Sequence, residues 1–169
     1  MTDFSAIYRE HAPGVFRFAL YLTGNRSEAE DITSETFVRL WTSPEPVRMA
    51  TVKGYLCTIA RNLFLKGLRK EKRHGALDES LPDGRPDPEA TADRRAEFRA
   101  TLAALKGLPE ADRSALLMRA IESMPYDEIA RALGISVGAA KVRCTALAAR
   151  CLGSGSPRVH RKSPGGNVK

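Results

Sequence analysis

The residues best equipped for chemistry lie between Thr51 and Arg73. Lys53, Arg61, Lys66, Arg69, Lys70, Lys72 and Arg73 share this segment with Tyr55, Phe64 and the amide of Asn62, against one acid, Glu71. This set suits polyanion binding, not bond-making. Cations meet phosphates, and aromatic rings offer stacking faces to unpaired bases. A solvated basic face is the plain alternative. The other reactive types are scattered. Cys57, Cys144 and Cys151 are odd in number, which fits free thiols in a reducing cytoplasm and not a disulfide framework. Cys144 and Cys151 share one helical face, but two cysteines alone make a poor zinc site. All three read as small packing residues. His11, His74 and His160 stand far apart and read as surface residues. There is no Gly-rich phosphate loop and no nucleophile motif, so no catalytic residue, metal or cofactor is expected.

A second constellation runs from Met124 to Arg143. Pro125 suits a helix start, where a missing N–H matters little. Asp127 and Glu128 complement the positive end of that helix. Ile129, Ala130 and Leu133 share a face. Gly134 tolerates the positive φ that a helix C-terminus often needs, and Ser136 can cap the next helix. Small Ala130 lets the two helices approach closely. This is the layout of a helix-turn-helix, whose second helix enters the DNA major groove. An ordinary αα-hairpin shares that turn grammar. Lys141, Arg143 and Arg150, on or beyond the second helix, favour DNA.

The whole chain points the same way. Its 169 residues carry a net charge of +7 and a pI near 9.6, an excess that favours polyanion partners. A hydrophobic share of 43% is ordinary for a globular protein. No run of about 18 apolar residues is present, so no membrane insertion is expected. The first residues lack a secretory pattern, and a cytoplasmic location is expected.

The elements that position these residues read as helices. Residues 4 to 22 show apolar spacings of three and four, with a break or kink expected near Pro13-Gly14. Thr23-Gly24-Asn25 is a turn, after which Ser27 is expected to cap a helix through Trp41. Pro44 and Pro46 stop it, and a loop runs to about Ala50. The basic helix spans about Thr51 to Arg73. From His74 to Ala92 the chain turns acidic and proline-rich, which predicts an extended linker dividing two domains. Asp93 is expected to open the next helix, and Gly107-Leu108-Pro109 is a turn. A further helix leads into the helix-turn-helix. The tail after Gly153 is Gly/Ser/Pro-rich and basic, which predicts disorder.

At the residue level these blocks resemble a known family. Ala29-Glu30-Asp31-Ile32-Thr33-Ser34-Glu35-Thr36-Phe37-Val38-Arg39-Leu40-Trp41 resembles region 2.2 of sigma-70 family factors. Tyr55-Leu56-Cys57-Thr58-Ile59-Ala60-Arg61-Asn62 resembles their regions 2.3–2.4. Leu108-Pro109-Glu110-Ala111-Asp112-Arg113 and Tyr126 to Arg143 resemble region 4. Order, spacing and length are similar to the extracytoplasmic-function (ECF) group, which keeps only domains 2 and 4.

The resemblance implies an all-α fold with a region 2 domain over residues 1–74, a linker over 75–92, a region 4 domain over 93–152 and a basic tail over 153–169. It implies a sigma factor, monomeric when free, without a small-molecule substrate. Its implied partners are core RNA polymerase (the β′ coiled coil and the β flap), promoter DNA and an anti-sigma factor. Asp31, Ile32, Glu35, Phe37 and Leu40 are the implied polymerase contacts. Lys53, Tyr55, Arg61, Asn62, Lys66, Arg69 and Lys70 would hold the −10 element, with Asn62 reading a flipped base. Ser136, Ala139, Lys141, Val142, Arg143, Thr145 and Arg150 would read the −35 duplex. The chain departs from the family pattern at Ser34, where Gln is frequent. It departs again at Val142, Ala146 and Ala148, where a Ser and two Arg are common. A conventional helix-turn-helix regulator is the rival reading, although it leaves the 29–41 and 55–62 blocks unexplained.

Overall fold

The computed structural model describes residues 3–43, 51–75 and 91–152, with residues 150–152 given by backbone alone. Among them are seven α-helices and no strands: α1 (Phe4–Thr23), α2 (Arg26–Thr42), α3 (Val52–His74), α4 (Ala92–Lys106), α5 (Glu110–Ala120), α6 (Tyr126–Leu133) and α7 (Val137–Leu152). The all-α expectation is met. The proline-rich loop after Ser43, most of the acidic linker and the basic tail lie outside the described residues.

Helix boundaries follow local chemistry. Asp3 caps α1 by accepting from Ser5 N at 3.0 Å. The break expected at Pro13 does not occur, and α1 is one helix across it. One lost hydrogen bond is outweighed there by the burial of Val15, Phe18, Ala19 and Leu22 after the proline, with Ile7 and Ala12 packed against the same core before it. Gly24, at φ 70°, closes α1 and donates to Leu20 O at 2.8 Å. The cap of α2 is Asn25 and not Ser27, since Asn25 Oδ1 accepts from Glu28 N at 3.1 Å. Thr91 likewise precedes the expected Asp93 as the cap of α4. Both helices start slightly earlier than expected, which leaves Asp93 in the first turn.

Helices α1, α2 and α3 pack together around Phe18, Leu22, Ala29, Leu56, Ala60 and Phe64. Helices α5, α6 and α7 pack around Ala115, Met118, Ile129, Ala140 and Cys144. These two groups are not separate in space. A single hydrophobic cluster runs through both, because α5 lies on α1 and α6 lies on α3. Tyr21 on α1 also meets Phe98 on α4 edge-on, with ring centroids 5.6 Å apart.

Candidate nucleic-acid interface

The basic helix α3 begins at Thr51, whose hydroxyl accepts from Gly54 N at 3.2 Å. Its inner face buries Leu56, Cys57, Ala60 and Phe64 against α1 and α2. Burial raises the Cys57 thiol well above its ordinary range, with Glu122 adding to the effect against Lys53, so it is held as an inert thiol. The spacing that buries this face turns Asn62, Lys66, Arg69 and Lys70 to solvent. They form one outward strip able to follow a phosphate backbone, with an amide at its upper end. Tyr55 is half-buried near the start of the helix.

Two cations of α3 behave differently. Arg61 is nearly enclosed, with its side chain 14% exposed. Its Nε and Nη2 donate to Glu110 Oε1 and Oε2 on α5 at 2.7 and 3.0 Å, a two-pronged pair. Lys53 Nζ lies 4.0 Å from Glu122 Oε2 in the turn between α5 and α6. Beside it, Thr51 donates its hydroxyl to Glu128 Oε2 on α6 at 2.7 Å, and Glu128 is only 5% exposed. Arg113 on α5 completes the contact by donating from Nη1 to Leu22 O, near the end of α1, at 2.7 Å. Its guanidinium lies over the Phe64 ring, and burial lowers its pKa against the opposing pull of Glu110. Glu110 on α5 and Glu122 in the α5–α6 turn therefore face Arg61 and Lys53. His11, expected at the surface, is half-buried instead. It lines the cleft formed by Thr51, Lys53, Glu122 and Glu128. His74 is exposed, as expected, and His160 lies outside the described residues.

The helix-turn-helix is formed as the sequence indicates. α6 ends at Gly134, whose φ is 66°, and Ile135 N donates back to Ala130 O at 3.0 Å. Ser136 Oγ accepts from Ala139 N at 3.1 Å, capping α7. The chain bends by 104° between the two helices, within the range of this motif. Arg119 supports the approach to α6, donating to Met124 O and lying 4.7 Å from the Tyr126 ring centroid. Ala140, Cys144 and Leu147 face the core. Cys144 Sγ lies 3.5 Å from Ala115 O, and burial raises its pKa, with Arg119 opposing. Ser136, Lys141, Val142 and Thr145 are exposed and Ala139 is half-buried. Arg143 points elsewhere, since its Nη1 is bound to Asp112 Oδ1 on α5. The side chains of Arg150 and Cys151 lie outside the described residues.

On α2, Asp31 and Glu35 are exposed and Leu40 is half-buried. Ile32 and Phe37, expected to contact a partner, are instead core residues. They share the inward spacing of Ala29, Thr33 and Thr36, a three-and-four pattern readable in the sequence. The outer surface there is aromatic. Trp41 is 68% exposed and meets Phe4 edge-on at 4.8 Å, next to exposed Tyr8 and Val38. Together with Ser34 and Phe37, Phe4, Val38 and Trp41 line a shallow apolar groove.

Comparison with known proteins places this geometry. Residues 7–74 match Sigma-70 region 2, and residues 98–145 match Sigma-70 region 4. The chain is 35% identical over 148 residues to the ECF RNA polymerase sigma factor SigE of Mycolicibacterium smegmatis, covering 85% of this chain and 58% of SigE. It is 30% identical over 142 residues to the ECF RNA polymerase sigma factor SigL of Mycobacterium tuberculosis, covering 82% of this chain and 80% of SigL. The fold is similar to the sigma factor RpoE of Bartonella quintana, solved in complex with the anti-sigma factor NepR. That match has a TM-score of 0.73 and 25% identity, and covers 89% of this chain and 94% of RpoE. It is also similar in fold to CnrH, solved with the cytosolic domain of CnrY. Here the TM-score is 0.64 at 21% identity, covering 90% of this chain and 89% of that one. With region 2 and region 4 in order along one helical chain, and with relatives of this identity and coverage, the protein belongs to the sigma-70 family, in its ECF group of RNA polymerase sigma factors.

Proposed function

We propose that this chain binds core RNA polymerase through the outer face of α2, reads the −10 element with α3 and reads the −35 duplex with α7. The region 2 unit is residues 1–74 and the region 4 unit is residues 93–152, with an acidic linker and a basic tail completing the chain. One observation carries the reading. The solvent strip of Asn62, Lys66, Arg69 and Lys70 and the outward face of α7 are two separate exposed surfaces on one small protein. A single-surface regulator does not need both.

The polymerase contact is Asp31, Glu35 and Leu40, extended by Val38 and Trp41. Ile32 and Phe37 hold α2 in place from beneath. A docking surface of this kind gains most from a central exposed aromatic with acids at its rim. The chain contributes no catalytic group; bond formation belongs to the polymerase. The packed arrangement, with Arg61 facing Glu110 of α5 and Lys53 facing Glu122 of the α5–α6 turn, is the resting state of the free factor. Both promoter-reading helices must separate to reach DNA elements a promoter's length apart. RpoE of Bartonella quintana, solved with the anti-sigma factor NepR, has a similar overall fold, which supports control by an anti-sigma partner that holds this state.

The test is run-off transcription from a promoter library with core polymerase, with and without the protein. Sequence-dependent initiation only in its presence is expected. Trp41→Ala, at an exposed position, is expected to keep its helical circular dichroism while binding core polymerase at least tenfold more weakly, about the effect of losing an aromatic anchor. Specific DNA binding with no affinity for core polymerase would overturn the reading in favour of a conventional helix-turn-helix regulator.

A further inference from the structure

Val142 stands at the centre of the outward face of α7 and is 64% exposed. Gly138, Thr145 and Ala149 stand in line with it, at spacings of three and four, while Ala140, Cys144 and Leu147 on the opposite side are buried or nearly so. The helix-turn-helix presents this face outward, and among the described residues only α5 and α6 pack closely on α7. The polar groups that usually read base edges are missing from it or engaged. Arg143 is held by Asp112 on α5. The Thr145 hydroxyl donates to Lys141 O at 2.9 Å and approaches Val142 O at 3.2 Å. Lys141 is the only cation without an ion pair among the described side chains of α7. Among the described side chains of α7 no unpaired guanidinium and no amide faces outward, which leaves Lys141 and the capping Ser136 as the exposed polar groups beside Val142.

Val142 has a different natural partner. The one apolar group that bases present in the major groove is the thymine C5-methyl, and a branched aliphatic side chain packs against it. Gly138, one turn earlier, clears the way. A Cβ placed there would meet nothing within 4 Å, so no contact inside the protein calls for glycine. What its absence of side chain permits is close approach of the helix backbone to the groove floor.

We infer that Val142 is the specificity-determining residue of α7 and that it reads thymine methyl groups in the −35 duplex, with Gly138 setting the depth of the helix. This rests on the reading of α7 as the −35 helix. Lys141 then serves as a phosphate anchor, adding affinity without base choice.

The experiment uses the full chain with core polymerase on promoters recovered from the randomised library. Deoxyuridine replaces each upstream thymine singly, on either strand; it keeps base pairing and removes only the methyl. Open-complex formation is expected to fall about fourfold at one or two positions, the factor expected for one buried methyl group. Val142→Ala is expected to lose a similar factor on the thymine template and to become indifferent to uracil at those positions. Gly138→Ala is expected to weaken initiation while the uracil-sensitive positions stay in place. Wild-type initiation that ignores uracil throughout, recovered promoters without upstream thymine, or a Val142→Ala variant as uracil-sensitive as the parent would each overturn the inference alone. No initiation from any template would overturn the sigma reading and this inference with it.

Discussion

Arg61 and Glu110, 49 residues apart in the chain, meet across the two helical groups through two parallel hydrogen bonds of 2.7 and 3.0 Å. Arg61 is on the helix assigned to the −10 element, and Glu110 begins α5 in the region 4 unit. Glu110 also accepts from Ser114 Oγ at 2.8 Å, which fixes the carboxylate toward Arg61. A nearly enclosed guanidinium needs such a partner, because an unpaired charge there is strongly unfavourable.

Glu110→Gln keeps the shape and removes the charge. It is expected to weaken the packing of the two groups by about 2 kcal/mol, the scale of losing one partner of a partly enclosed pair. Energy transfer between dyes at the end of α3 and on α7 should report a wider separation. Affinity for a single-stranded −10 oligonucleotide should rise, because Arg61 becomes free to meet a phosphate. An unchanged affinity would remove Arg61 from the DNA contact.

Thr51 performs two tasks with one hydroxyl, capping α3 at Gly54 N and donating to the buried Glu128 carboxylate. Thr51→Val removes both and leaves a buried acceptor without its donor. A loss of about 2 kcal/mol is expected in urea denaturation, with Thr51→Ser close to the parent. A loss in Thr51→Ser with Thr51→Val close to the parent would show that the methyl group, not the hydroxyl, matters.

The outward strip of α3 separates charge from reading. Single Ala replacements of Lys66, Arg69 or Lys70 are expected to weaken binding of single-stranded DNA irrespective of sequence. Each should reduce the steepness of log K against log salt by roughly 0.7. Asn62→Ala is expected to leave that slope alone and to lower discrimination at one base by about tenfold. Fluorescence anisotropy titrations over a salt series distinguish the two behaviours.

Glu28, in the first turn of α2, has its pKa raised by burial first, then by repulsion from Glu71 and Asp31. The folded state therefore holds this proton more tightly than the unfolded chain. That contribution to stability is complete below the ordinary glutamate value of the unfolded chain and is lost as pH rises through the raised folded value. Glu28→Gln should accordingly raise Tm at pH 7 and leave it unchanged at the acidic end of the series. Equal gains at both ends would show that the buried charge of Glu28 is not the cause.

Much of this protein was readable one segment at a time. The seven helices, the Gly134 turn and the Ser136 cap rest on interactions spanning a few residues, so local residue types settle them. Where neighbours compete for one task, sequence alone misassigned it. Asn25 and Ser27 are both good caps, as are Thr91 and Asp93, and the choice depends on where packing starts the helix axis. Pro13 shows the same limit, since its local preference is overridden by the burial of the residues that follow it in α1.

The sequence by itself determined the family, the order of its two units, the helical elements and the basic strip of α3, because motif spacing and amphipathic period are properties of contiguous residues. Only the tertiary structure decided which cations are free. Arg61 and Lys66 are alike in the chain, yet one is paired with Glu110 and the other faces water. Arg143 and Lys141 on α7 divide the same way, through Asp112. Ile32 and Phe37 went to the core while Trp41 stayed outside. Each of these outcomes is set by a partner far along the chain, and a Coulomb or packing contact between distant residues exists only once the helices are brought together.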